Sequence, residues 1–240
     1  MGASPRTGCP RASASEPIRE TTATTEPAQA TVAANGEPTR VGRDRDPQAQ
    51  PDLPSDYRQL IKPTPMGWAR LDHWCVWVEP VSSTDAGSLW DQRWLSAVEK
   101  ALTGWQALLM IERVSDPEAA QIRLWRRRPP LRPDADGRMR ASHGRAILAI
   151  RQVTRDGIER LEPAVEVLLS PGQRQSGIEA TALHELGHAF GLWGHSDQPG
   201  DAMAAIPGAT PVLALSPRDQ ATVLWLYAQP TPFGKPLAPR

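Results

Sequence analysis

The sequence predicts a fold of the α/β or α+β class, on three observations. Short segments rich in Trp, Val, Ile and Leu are interspersed with longer ones whose apolar residues recur every three or four positions. The first of these run strand, helix, strand, strand, which opens an α/β unit with a right-handed crossover. All nine tryptophans lie at or after Trp68, so the core belongs to the chain from there onward. Residues 1–66 are dominated by Ser, Thr, Ala, Pro and Glu and hold almost no aromatics. Such a segment buries too little apolar surface to offset chain entropy, and a disordered tail is expected. The boundary falls near residue 66, leaving residues 67–240 as one domain with a well-filled core.

Each element has its own local reason. "HWCVWVEP" (73–80) alternates and is rich in Trp and Val, the mark of a strand. In 88–109, Trp90, Trp94, Val98, Leu102, Trp105 and Leu109 stand at helical spacing and form one core-facing stripe. Short strands are expected at 109–114 and 120–126. After an irregular stretch with two prolines and "DADG" (134–137), two more are expected at 145–153 and 163–170, turning at Asp156-Gly157. A helix over 175–192 ends at Gly191, a natural left-handed cap. A last helix, 216–229, opens on Ser216 as N-cap, Pro217 in the first turn and Asp219 three on, a capping box with Asp in place of Glu.

Composition excludes several classes of function. Net charge is zero, which argues against nucleic acid or an anionic membrane as the main partner. Arg126-Arg127-Arg128 before Pro129-Pro130 reads as a solvated loop. No apolar run approaches the roughly 20 residues of a membrane span, and no signal peptide is visible. With Cys9 in the tail and Cys75 in an expected strand, no disulfide framework is expected, and Cys75 reads as a small buried residue.

Chemistry concentrates in "TALHELGHAFGLWGHSD" (181–197), which holds three of the chain's five histidines. On a helix His184 and His188 lie one above the other, roughly 5–6 Å apart, and can point ring nitrogens at one ion. Zinc accepts such nitrogens at about 2.0–2.1 Å, and in catalytic sites keeps three protein ligands plus a water. Glu185, beside the first ligand, is placed to serve as general base toward that water. Gly191 can turn the chain back so that His195 approaches the metal from the other side. The bland alternative is a polar helix face with two solvated histidines.

The stretch resembles the metzincin signature, His-Glu-x-x-His-x-x-Gly-x-x-His followed by a Met-turn. It is most similar to the matrixin branch, since Ser196 follows the third histidine and Met203 lies eight residues beyond His195. "LSPRDQATVLWLY" is similar to the last matrixin helix, and the resemblance extends over about residues 68–229, with only 181–203 of motif grade. It implies a twisted, mostly parallel five-stranded sheet with two long helices, the zinc helix being followed by a Met-turn and a C-terminal helix. It implies His184, His188 and His195 as zinc ligands, Glu185 as catalytic base and Met203 under the metal. The strand near 145–152 would edge the cleft, where an extended substrate adds as a further strand, and 204–214 would wall the main specificity pocket.

The departures are specific. The strict signature places its third histidine at the position of Gly194, so the Gly191–Gly194 turn must absorb one residue. No glutamate occurs anywhere after Glu185, so a third Glu ligand is excluded, and Asp197 or Asp201 is the fallback third ligand. Ala204 stands where matrixins carry Tyr. The second, structural zinc of matrixins needs three histidines and an aspartate. Only His73 and His143 remain here, with Ile150 where a histidine is wanted, so one catalytic zinc and no such structural zinc are expected. Calcium sites are not readable. Matrixin pro-segments block zinc through a Pro-Arg-Cys-Gly-like motif, which "RTGCPRA" around Cys9 does not match. The expected activity is a monomeric zinc endopeptidase acting on peptide or protein. The rival is a non-catalytic zinc-binding or interaction domain derived from a metzincin. Location divides between extracellular, by resemblance, and cytoplasmic, by the missing export signal.

Overall fold

The computed structural model describes residues 8–18, 23–24, 55–81, 88–133 and 136–237. In chain order the elements are β1 (Ala14–Pro17), β2 (Ala23–Thr24), β3 (His73–Val78), α1 (Ser88–Gln106), β4 (Met110–Val114), β5 (Ile122–Trp125), β6 (Arg132–Pro133), β7 (Met139–Arg140), β8 (Gly144–Arg155), β9 (Ile158–Leu169), α2 (Gln175–Ala189) and α3 (Pro217–Ala228). The α/β expectation holds. One mixed sheet has the order β1-β8-β9-β5-β3-β4, with β2 also on β8. The pairs β3–β4, β3–β5 and β5–β9 are parallel, while β8 runs antiparallel to β9. The small β6–β7 ribbon stands apart.

Local signals explain most of these boundaries. The β8–β9 hairpin turns at Asp156 and Gly157, both at positive φ (51° and 74°), as a two-residue turn matched to strand twist requires. Ser216 accepts from the Asp219 N–H while Asp219 accepts back from the Ser216 N–H, so the expected capping box opens α3. In α1 the stripe Trp94, Val98, Leu102 and Trp105 is buried, with Leu109 beyond the helix end and Ala97 and Ala101 beside it. Trp90 departs from that stripe: it is 59% exposed and lies under the Arg93 guanidinium. It sits in the first turn of α1, where helical spacing continues but the side chain faces solvent.

Burying Trp74, Trp94, Trp105, Tyr57 and Phe190 completely contributes about 1.5–3 kcal/mol each. These rings also set the position of α2. Trp105 Nε1–H donates to the Leu183 carbonyl (3.0 Å), and its ring and that of Trp74 both pack on Phe190.

Two expectations about the N-terminal part need correction. Cys9 and Cys75 form a disulfide, so Cys75 is not simply a small apolar residue. Spacing could not reveal this, because the two lie 66 residues apart and meet only when residues 8–18 lie along the sheet. The boundary near residue 66 also falls inside packed chain, since Tyr57 and Ile61 are buried in the core. Part of the tail is therefore structured: Ala14–Pro17 pairs with Arg151–Thr154, and Ala23–Thr24 with Ile147–Leu148. The remainder of the expected disorder, residues 1–7, 19–22 and 25–54, lies outside the described residues, as do Asp134 and Ala135 of the "DADG" turn. Among the described residues no helix is long and apolar enough to cross a membrane.

Candidate metal centre

Three histidines converge at the C-terminal half of α2 and the loop after it. One ligand atom from each of His184, His188 and His195 lies within 4.8 Å of the others. The His184 Nδ1–H donates to the Ala202 carbonyl at 2.8 Å, and the His188 Nδ1–H to the Leu192 carbonyl at 2.7 Å. A carbonyl oxygen can only accept, so each ring carries its proton on Nδ1. Burial holds both rings below the ordinary histidine pKa, His188 well below with the neighbouring histidines adding to the shift, and both are neutral. Burial, followed by the effect of neighbouring His184, brings His195 down to about 4.

The two Nε2 lone pairs therefore face each other at 3.1 Å with no proton between them. Two nitrogens on one tetrahedral zinc stand about 3.3–3.4 Å apart, close to the spacing seen. Lone pairs opposed in a buried site repel unless a cation lies between them. Carbonyl contacts to Nδ1 of this kind orient imidazoles where they bind a metal.

The loop reaches His195 by two devices. Helix α2 closes in a Schellman motif: the Gly191 N–H donates to His188 (2.9 Å) and the Leu192 N–H to Gly187 (3.0 Å), with Gly191 at φ +107°. Two three-residue turns follow, Trp193 N–H to Gly191 and Gly194 N–H to Leu192. They take up the additional residue expected between Gly191 and His195. Gly194 lies against the backbone of Leu60, whose carbonyl oxygen would be 2.1 Å from a Cβ built there. Trp193 stacks on His188, with ring centroids 5.7 Å apart and planes at 17°.

Met203 is fully buried beneath this arrangement. A Cβ built on Gly187 would fall 2.1 Å from its Sδ, so the missing side chain is what lets the sulfur pack against α2 between the histidines. The turn is held by Asp219, which is completely buried. That carboxylate accepts from the N–H groups of Ala202 (2.7 Å), Met203 (3.3 Å) and Ser216 (2.9 Å) and from the Tyr57 hydroxyl (2.7 Å). Asp197 and Asp201, the fallback ligands, are engaged elsewhere: Asp201 with Ser196, Ser216 and Arg218, and Asp197 with Arg218. Neither belongs to a metal-spaced group among the described residues.

Glu185 lies on the same helix, buried, under the start of β8. Its carboxylate accepts from the Ala146 N–H and feels the charge of Arg145, yet desolvation outweighs both and raises its pKa to about 8. Oε2 has no hydrogen-bond partner. A nearby cation would draw this pKa back down, and a water would satisfy the unpaired oxygen. Sequence reasoning missed Gly144, where a Cβ would stand 2.4 Å from Thr181 Cγ2 and 2.6 Å from Glu185 Cγ. It also read Asp219 only as a cap and passed over Tyr57 and Leu60. Nothing in the local pattern marked these, since each meets the site from a distant segment.

The outer edge of β8 is the place where an extended substrate was expected to add. The chain itself occupies much of it. β1 and β2 run antiparallel along β8 from Thr154 to Ile147, toward the end at which Gly144 covers Glu185. Cys9 is bonded to Cys75 and is not a member of the histidine group.

No family model matches this chain, and no curated protein matches it.

Proposed function

We propose that this protein is a zinc-dependent endopeptidase with a matrixin-like metzincin domain. The observation that carries the proposal is the pair of opposed Nε2 lone pairs at 3.1 Å, with both Nδ1 protons committed to carbonyls. His184, His188 and His195 would hold the ion. Their neutral imidazoles suit zinc, and Glu185, on the same helix, keeps a buried Oε2 without a partner, which fits a site completed by metal and water. Further support comes from a mostly parallel sheet whose antiparallel strand β8 borders the site, and from Met203 packed under α2.

A zinc ion there supplies a Lewis acid that polarises the scissile carbonyl and brings a water's pKa toward about 7. Glu185 does the proton work. Its Oε2 takes a proton from the attacking water and passes it to the nitrogen of the leaving amine. The Ala146 N–H holds the other side of the carboxylate in place. An extended peptide lies along β8 by main-chain pairing, so β1 and β2 must first give way over the shared stretch. A non-catalytic zinc domain has no use for a buried carboxylate with an unpaired oxygen next in sequence to His184, which favours the enzyme over that rival.

The test uses the full chain and Glu185→Gln side by side, with zinc content and cleavage of a peptide library as readouts. Both proteins should bind one ion at the histidines, and the variant should lose about 10²–10⁴ in kcat. Zinc bound by both, with no cleavage by the native protein, would refute the protease reading.

A further inference from the structure

A second cluster of metal-binding groups, separate from the histidines, lies where residues 8–18 meet the sheet. Cys9, His73 and Cys75 each offer a ligand atom within 4.8 Å of the others. His73 and Cys75 are two apart on β3 and so share one face of the sheet. On β4, Glu112 is in register with Cys75, and its Oε2 lies 3.3 Å from His73 Nε2. Two thiols, an imidazole and a carboxylate holding that imidazole make a donor set with zinc-site chemistry.

Cys9 does not depend on the disulfide for its position. Arg155, buried and paired with Glu162 at 2.9 Å, donates to the Pro10 carbonyl. Arg11 pairs with Asp116 at 2.7 Å, and the Ser13 N–H donates to Thr154 at 2.8 Å. Breaking the S–S bond therefore leaves Cys9 facing Cys75. Their Cα atoms are 5.8 Å apart, which also accommodates two sulfurs about 3.8 Å apart, the separation of two thiolates at about 2.3 Å from a tetrahedral zinc.

We propose that Cys9, His73 and Cys75, with Glu112 orienting His73, form a redox-gated site for zinc or a similar thiophilic divalent cation. In the oxidised protein the two sulfurs are bonded to each other. A dithiol reductant breaks that bond: its two sulfurs become its own disulfide, and two electrons and two protons pass to Cys9 and Cys75. The cation then displaces both thiol protons to solvent, and the two thiolates balance its charge. Either state ties Cys9 to β3, so the N-terminal segment stays anchored there under oxidising and reducing conditions alike, while β1 and β2 can still part from β8. The site is independent of the three histidines and of the activity proposed for them.

The experiment uses cobalt(II) as the probe on the full chain. The protein is reduced with a dithiol, which is removed without air before titration, and is compared with the oxidised protein. Reduced protein should take up one more ion per chain than oxidised protein and show thiolate-to-cobalt charge-transfer absorption, which a histidine-only site does not give. Cys9→Ser, in a segment outside the core, should abolish both signals, and His73→Ala should weaken the extra ion. Glu112→Gln should lower its affinity about 10–100-fold. Equal metal content in the reduced and oxidised proteins would overturn the proposal, as would charge-transfer absorption that survives in Cys9→Ser. Affinity untouched by both His73→Ala and Glu112→Gln would overturn the ligand set.

Discussion

Replacing Gly144 by alanine perturbs the proposed base without touching a metal ligand. The added Cβ stands 2.4 Å from Thr181 Cγ2, 2.6 Å from Glu185 Cγ and 2.7 Å from Glu185 Oε1. Ordinary van der Waals contact begins at about 3.4 Å, so α2 and β8 must separate, or Glu185 must move, by about 1 Å. Gly144 is not among the positive-φ glycines, so the strain is one of space rather than backbone. A displacement of about 1 Å at a catalytic group costs about 10²-fold, which corresponds to about 2.7 kcal/mol of transition-state stabilisation. Overpacking of this kind costs folding stability about 1–3 kcal/mol. Peptide cleavage measured as kcat/KM, beside zinc content and a denaturant melt, separates these effects. The expected result is a folded protein with one zinc at the histidines and about 1% of native kcat/KM. Native kcat/KM in a folded Gly144→Ala protein would refute the placement of Glu185 as the base pressed beneath β8.

Three further outcomes follow from particular contacts. Asp219→Ala leaves the buried donors of Ala202, Met203, Ser216 and Tyr57 without their acceptor; unfolding free energy should fall by about 3–5 kcal/mol, read from urea midpoints. Deleting residues 1–54 removes β1 and β2 from the edge of β8 and should lower the KM for an extended peptide while kcat holds. A higher KM would mean that the segment helps substrate to bind. Gly194→Ala brings a Cβ to 2.1 Å from the Leu60 carbonyl oxygen and should displace His195; competition with a chelator should show zinc held about 10-fold or more weaker.

What could be read from the sequence is what depends on neighbours along the chain. His184 and His188 are four apart, so any helix through them stacks the two rings. Gly191 ends that helix because a left-handed residue is needed there, and Ser216 with Asp219 caps α3 by contacts three residues apart. The strands and helices from His73 onward, the β6–β7 ribbon apart, were legible for the same reason, and with them the α/β class. Trp90 shows the limit of that reasoning: helical spacing selects a face, but only the packed fold decides whether each position on it is covered.

The tertiary structure decided everything that joins segments distant in sequence. Cys9 meets Cys75 because residues 8–18 lie along the sheet, and β1 and β2 take the edge of β8 that a substrate was expected to use. Leu60 reaches Gly194, Gly144 reaches Glu185, and Asp219 of α3 holds the turn of Met203. None of these pairs leaves a periodicity or a short motif, because each is a meeting of surfaces that exist only once the sheet and helices have packed. By itself the sequence singled out the residues proposed to carry metal and proton chemistry. The fold determined that His195 joins His184 and His188, that Glu185 Oε2 is left without a hydrogen-bond partner, and that the chain's own N-terminal strands lie on the edge of β8.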